Sequence, residues 1–176
     1  MNPRAGAPTP LQPRCDVRKR RVLNFGGAIA CFGMLSYALY AQYGLALEPC
    51  PLCIFQRVAI IALGVVFLAA ALQHPGGSGR YVYAALIGLA ALATTALATR
   101  HLYIQSQPPG SIPSCGAPLE VMLKFSPLTE VVRKVLTGGG ECSQVNWSFA
   151  GLAMPAWVLI AALILGVAGV LANSRQ

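Results

Sequence analysis

Two cysteines separated by two residues, Cys50-Pro51-Leu52-Cys53, stand immediately before an apolar segment that begins at Ile54. Proline suits the first position of a helix, where a missing N–H costs nothing and its fixed φ is already helical. The pattern therefore predicts Cys50 as an N-cap, with unpaired N–H groups and the helix dipole favouring negative charge at both sulfurs. The thiolate is the attacking species in disulfide exchange, and such surroundings lower a cysteine pKa. Arg57 follows Cys53 by four residues, one turn deeper on the same helical face. A guanidinium this close to hydrocarbon is costly without a partner and marks a functional position. A thiolate at Cys53 or the carbonyl oxygen of a bound electron acceptor would be that partner. Cys115 and Cys142 lie much further along, the second of them just after Gly138-Gly139-Gly140, a hinge that would let it move. A C-x-x-C alone could also be a structural staple or half of a zinc site. The spacing of these four cysteines does not resemble a zinc knuckle, and no metal is expected. With Arg57 and a second pair beside it, redox chemistry is the reading favoured.

The elements that must hold these residues are membrane spans. Of 176 residues, 56% are hydrophobic and 10% charged, and the mean hydropathy is +0.61; a soluble domain carries roughly 25% charged residues. Apolar stretches occupy about 22–47, 54–72, 81–99 and 150–172. Each is near or above the ~20 residues a helix needs to cross ~30 Å of hydrocarbon. The expected fold is an all-α membrane protein, a four-transmembrane-helix bundle. So few charges argue against the buried core helices of a soluble bundle.

The net charge of +8 is an orientation signal. Arg14, Arg18, Lys19, Arg20 and Arg21 precede the first span, Arg80 lies between the second and third, and Arg175 follows the fourth. Positive charge flanks spans on the cytoplasmic side, so both termini are expected in the cytoplasm, and a nucleic-acid partner is not. The chain then divides into a tail (1–21), spans (22–47, 54–72, 81–99, 149–172), outer loops (48–53, 100–148), an inner link (73–80) and a short tail (173–176). The first apolar run exceeds the roughly 7–15-residue core of a signal peptide, so no cleaved leader is expected. Within the long outer loop, a Pro-rich stretch precedes residues 118–136, whose apolar spacing predicts one or two short amphipathic helices, interrupted at Pro127, on the membrane surface or capping the bundle. This orientation puts Cys50, Cys53, Cys115 and Cys142 outside, where disulfides persist. Cys15 in the tail and Cys31 in the first span are bystanders, Cys31 as a small apolar packing residue.

The run Cys50-Pro51-Leu52-Cys53-Ile54-Phe55-Gln56-Arg57 resembles the signature of the DsbB family of disulfide-bond formation proteins. The order of parts is similar too, and so are Cys142, Trp147, Phe149, Gly151, Met154-Pro155 and Trp157, and the stretch from Arg100-His101 to Gln105. The resemblance spans about residues 22–172. It implies a thiol:quinone oxidoreductase, multi-pass in the bacterial inner membrane, with its active face to the periplasm and a long periplasmic second loop. A quinone (ubiquinone or menaquinone) would lie near the outer helix ends. Cys115 and Cys142 would accept electrons from a DsbA-like periplasmic thiol oxidase, with Cys115 forming the mixed disulfide. Exchange through a Cys50–Cys142 linkage would pass them to Cys50 and Cys53. Cys53 would face the quinone, with Arg57 stabilising negative charge and His101 helping supply a proton. Four outer cysteines allow three pairings; the resting disulfides are expected to be Cys50–Cys53 and Cys115–Cys142. A membrane acceptor makes sense because a protein disulfide alone is exhausted after one turnover, whereas the quinone pool is refilled. A vitamin K epoxide reductase-like enzyme is disfavoured, since its quinone-facing pair lies in a late helix. The remaining alternative is a non-enzymatic tetraspan scaffold with structural disulfides.

Overall fold

A computed structural model describes residues 12–73, 75, 77–108, 122, 124–137, 140–143, 145 and 147–174, and side chains of the first helix from Val17 onward. Cys115 and the Cys15 side chain lie outside the described residues. Four long helices dominate: α1 (Gln12–Tyr43), α2 (Pro51–Gln73), α3 (Gly79–Gln105) and α5 (Met154–Ser174). Between α3 and α5 come a short helix α4 (Leu128–Thr137), a 3-10 turn (Gly140–Ser143) and a two-stranded hairpin, β1 (Ser148–Phe149) and β2 (Leu152–Ala153). The long helices close a ring in which α1 packs on α2, α2 on α3, α3 on α5 and α5 on α1.

The chain is an all-α membrane protein with four spans, Val17–Tyr43, Pro51–Gln73, Gly79–Gln105 and Met154–Ser174. Only 22–33% of the most apolar window of each is buried inside the bundle, so the remaining apolar surface needs hydrocarbon to cover it. Val58, Leu89, Leu92, Ile164 and Val167 are among the large side chains pointing outward. Helix α1 starts ten residues before Val22, carrying Arg18, Lys19, Arg20 and Arg21 on its first turns. At the other end of the chain the last helix waits until Met154, because Ala150 (φ 52°) and Gly151 (φ 77°) form the left-handed turn of the hairpin. Two successive positive φ values fit the right-handed twist of paired strands and cannot continue a helix.

Two clusters hold the bundle. Mid-depth, Ala28, Cys31, Ile60, Leu63, Phe67, Ile87 and Ala91 interdigitate, and Cys31 is fully buried there as the small apolar residue its sequence context suggests. Close approach needs glycine: a Cβ at Gly166 would stand 2.6 Å from that of Ala91, and one at Gly169 2.6 Å from the Phe67 ring. Small residues are what let membrane helices pack when lipid is as apolar as the side chains. The second cluster, Leu52, Ile104, Val131, Val135 and Cys142, joins α2 and α3 to α4 and the 3-10 turn. Helix α4 is thus a cap on the bundle, its Val131 and Val135 turned inward. Far from this cap, Asn24 and Asn173 exchange hydrogen bonds at 3.1 and 2.9 Å, tying α1 to the end of α5.

Candidate thiol site

Pro51 is the first residue of α2, and Cys50 caps it. The Cys50 carbonyl accepts the Ile54 N–H at 3.2 Å, and its sulfur accepts the Cys53 N–H at 3.4 Å, as a serine oxygen would at an N-cap. One turn of helix brings the two sulfurs to 3.0 Å, with the Cys50 thiol donating. Negative charge was expected at both sulfurs, but at Cys50 the structure reverses this. Its thiol is pushed well above the ordinary range by hydrogen bonding to Cys142, then to Cys53, and by burial. Crowded sulfurs cannot all ionise, so the neighbouring thiols work against a charge on Cys50.

Cys142, only 1% exposed, sits in the 3-10 turn under α4. Its sulfur, that of Cys50 and an imidazole nitrogen of His101 all lie within 4.8 Å of one another. His101, 2% exposed on the last turns of α3, places Nε2 3.6 Å from the Cys50 sulfur and hydrogen-bonds the Cys142 backbone. Its Nδ1 is 3.4 Å from the Gln56 side-chain amide. An amide nitrogen there leaves the ring proton on Nε2, facing sulfur; an amide oxygen holds it on Nδ1 and turns the Nε2 lone pair toward the thiols.

The neighbouring Arg100 explains why Cys142 arrives at this place. Its guanidinium donates to the Leu136 carbonyl at 2.9 Å and the Thr137 carbonyl at 3.1 Å. These are the unpaired last carbonyls of α4, where a cation also meets the negative end of the helix dipole. Arg100 therefore pins the end of α4 to α3, five residues before Cys142.

Arg57 is half-buried and finds its partners on α1: Nη1 donates to Gln42 Oε1, and Nη2 donates to the Ala38 carbonyl at 3.0 Å. Both are neutral, so the guanidinium is oriented without being neutralised. It borders a cavity of about 470 Å³ whose wall includes Cys50, Cys53, Gln56 and His101. The facing wall is apolar and aromatic, with Met34, Tyr37, Trp147, Phe149, Met154 and Trp157. Tyr37, Trp147, Phe149 and Trp157 form a continuous ring series at centroid spacings of 5.8, 6.2 and 6.0 Å. The Trp157 indole N–H donates to the Phe149 carbonyl at 3.2 Å, fixing the hairpin on α5.

The structure thus gathers Cys50, Cys53, Arg57, His101 and Cys142 at one end of the bundle, whereas Cys115 lies outside the described residues. Sequence reasoning gave no role to Gln42, Gln56 or Arg100. A lone amide at the end of the first apolar run is the signal that could have flagged Gln42.

The family model described as disulfide bond formation protein DsbB matches residues 20–172. The chain is 48% identical over 141 residues to disulfide bond formation protein B of Hahella chejuensis, covering 80% of this chain and 86% of that one. It is 48% identical over 147 residues to the protein of the same name from Nitrosococcus oceani, covering 84% and 87%, and 44% identical over 140 residues to that of Methylococcus capsulatus, covering 80% and 85%. Four spans, clustered cysteines at one end and this extent of similarity lead to one conclusion: the chain is a membrane protein belonging to the DsbB family of disulfide bond formation proteins.

Proposed function

We propose that this chain is a thiol:quinone oxidoreductase of the bacterial inner membrane that reoxidises a DsbA-like periplasmic thiol oxidase. The observation that carries the reading is the cysteine pair at the start of α2, which borders one cavity with Arg57 and His101 and has Cys142 at its back. Both termini face the cytoplasm in this reading, as the basic residues before α1 and at Arg80 indicate.

In the resting enzyme Cys50–Cys53 and Cys115–Cys142 are disulfides. A thiolate of the reduced partner attacks Cys115, releasing Cys142. The partner's second thiol then displaces Cys115, so that two electrons and two protons have passed to the loop pair. The Cys142 thiolate attacks Cys50, which lies beside it, and releases Cys53. Attack by Cys115 on Cys142 restores the loop disulfide and leaves Cys50 and Cys53 reduced. His101 Nε2, 3.6 Å from the Cys50 sulfur, is placed to carry the proton that Cys50 gains or loses.

The cavity fits a quinone. It is mostly apolar, walled by flat rings, and carries a few convergent polar groups on one side, as small-molecule sites generally do. Bound there, a quinone supplies a two-electron, two-proton acceptor that the membrane pool renews. Arg57, held by Gln42 and Ala38, directs uncancelled positive charge at that wall and stabilises negative charge on Cys53 or on a carbonyl oxygen.

The test is quinone-dependent oxidation of a reduced thioredoxin-fold partner by single Cys→Ala variants in detergent micelles. Changes at Cys50, Cys53, Cys115 and Cys142 should each abolish turnover, while those at Cys15 and Cys31 leave it near normal. Quinol formation that survives loss of Cys53 would refute the proposal, as would labelling of residues 50 and 53 from the cytoplasmic side only.

A further inference from the structure

The sulfur–imidazole cluster has a second capability that electron transfer does not use. We propose that the reduced form of the protein binds a thiophilic metal ion, Zn2+ in the first instance, through Cys50, Cys142 and His101 with Cys53 as fourth donor, and that this binding switches the enzyme off. The inference rests on the oxidoreductase reading, whose site it would regulate.

Geometry is the first support. Zinc takes thiolate at ~2.3 Å and imidazole at ~2.0–2.1 Å in a tetrahedron, so its donors stand roughly 3.3–3.8 Å apart. Cys50 Sγ and His101 Nε2 are already 3.6 Å apart, and Cys142 completes a trio within 4.8 Å. Cys53, 3.0 Å from Cys50, lies outside that trio and would have to rotate its side chain toward the ion to join it. The donors come from α2, α3 and the 3-10 turn, where Cys142 is buried in one cluster with Leu52 and Ile104. No zinc pattern exists in the linear spacing, because separate segments and one histidine are brought together only by the fold.

The surroundings are the second support. His101 and Cys142 are 2% and 1% exposed, so bulk water competes little for the ion. Gln56 reaches Nδ1 at 3.4 Å. With the amide turned so that its oxygen meets the ring, Gln56 would accept the Nδ1 proton and hold a metal-bound imidazole in orientation. Each coordinating thiol releases its proton to solvent and no electron moves. The charge of a third thiolate would be offset by Arg57, one turn below Cys53. Coordinated sulfurs cannot attack a disulfide, so the ion would hold the pair reduced and stop exchange between the loops.

The experiment uses full-length protein, reduced and desalted under argon in detergent, titrated with Co2+ as a spectroscopic substitute for Zn2+. The expected result is one Co2+ per reduced chain, with thiolate-to-cobalt charge transfer and tetrahedral visible bands, displaced by Zn2+ and absent from the oxidised protein. His101→Ala and Cys142→Ser should each weaken binding at least about tenfold, and Cys31→Ser and Cys115→Ser should not. Zinc-edge X-ray absorption of the unmodified protein, independent of any variant's folding, should show sulfur with one imidazole nitrogen. A reduced chain that takes up no Co2+, a zinc shell without imidazole, or binding unaffected by both His101→Ala and Cys142→Ser would overturn the proposal. Metal-free turnover on the same preparation separates the two readings. Turnover without Co2+ binding sinks only the metal site; Co2+ binding without turnover leaves that site standing and sinks the oxidoreductase reading.

Discussion

Replacing Gln42 with leucine should cost quinone affinity although the side chain carries no charge and no redox chemistry. Gln42 Oε1 is one of two acceptors that aim the Arg57 guanidinium; the other, the Ala38 carbonyl at 3.0 Å, is backbone and survives the change. A hydrogen bond to a charged group contributes about 1.5–3 kcal/mol. The remaining bond still tethers Nη2, so roughly half of that, about 0.75–1.5 kcal/mol, should reach the ligand, which predicts a rise of roughly four- to twelvefold in KM for quinone. Arg57→Ala removes the charge itself and should weaken quinone reduction further. In that background Gln42→Leu should add less than about threefold, because the group it orients is gone. The assay is steady-state quinone reduction by a pre-reduced DsbA-like protein, completed as a double-mutant cycle. The two side chains should couple by about 1 kcal/mol, within the range for groups in contact. Additivity within ~0.3–0.5 kcal/mol would refute the reasoning, as would a shift in the KM for the protein substrate instead of the quinone.

Three further outcomes are expected. Arg100→Ala deprives the α4 C-terminus of its cap and should cost about 1–2 kcal/mol of local stability; hydrogen exchange in α4 should accelerate, with interloop exchange slowing while direct reduction of Cys50–Cys53 by dithiothreitol is unchanged. Asn24→Leu leaves Asn173 without its partner on α1 and should destabilise the bundle by about 1–2 kcal/mol in denaturant titration; Asn24→Leu/Asn173→Leu should recover most of that. For the reduced enzyme, alkylation of Cys50 followed by mass spectrometry should begin at higher pH than for an ordinary thiol, because the raised pKa favours the protonated, unreactive form. Cys142→Ala removes the largest cause of that rise and should move the onset to lower pH.

Much of this was legible in the sequence because membrane spans announce themselves through composition and length. The start of α2 was legible as well, since Pro51 can occupy little else than a first helical position. What was hidden depends on packing between distant segments. Cys142 meets Cys50 because Arg100 fastens α4 and because Val131 and Val135 bury against Leu52 and Ile104; no local pattern encodes that. The partners of Arg57 were sought among thiolates and acceptors, yet the structure supplies an amide and a carbonyl one helix away. Asn24 and Asn173 are 149 residues apart and look unremarkable singly. The hairpin before α5 was invisible for a different reason. Ala150 takes a left-handed conformation in which a side chain is disfavoured by roughly 1–2 kcal/mol, so the usual Asn-Gly marker of such a turn is missing.

The cavity beside Arg57 is not sealed toward the sides of the bundle. Gly33 and Tyr37 of α1 and Trp157 of α5 belong to its lining and are all exposed. At that depth the outside is acyl chain rather than water. On the proposed reading, a lipid-soluble acceptor would have its shortest way in between the first and last helices, without crossing an aqueous phase.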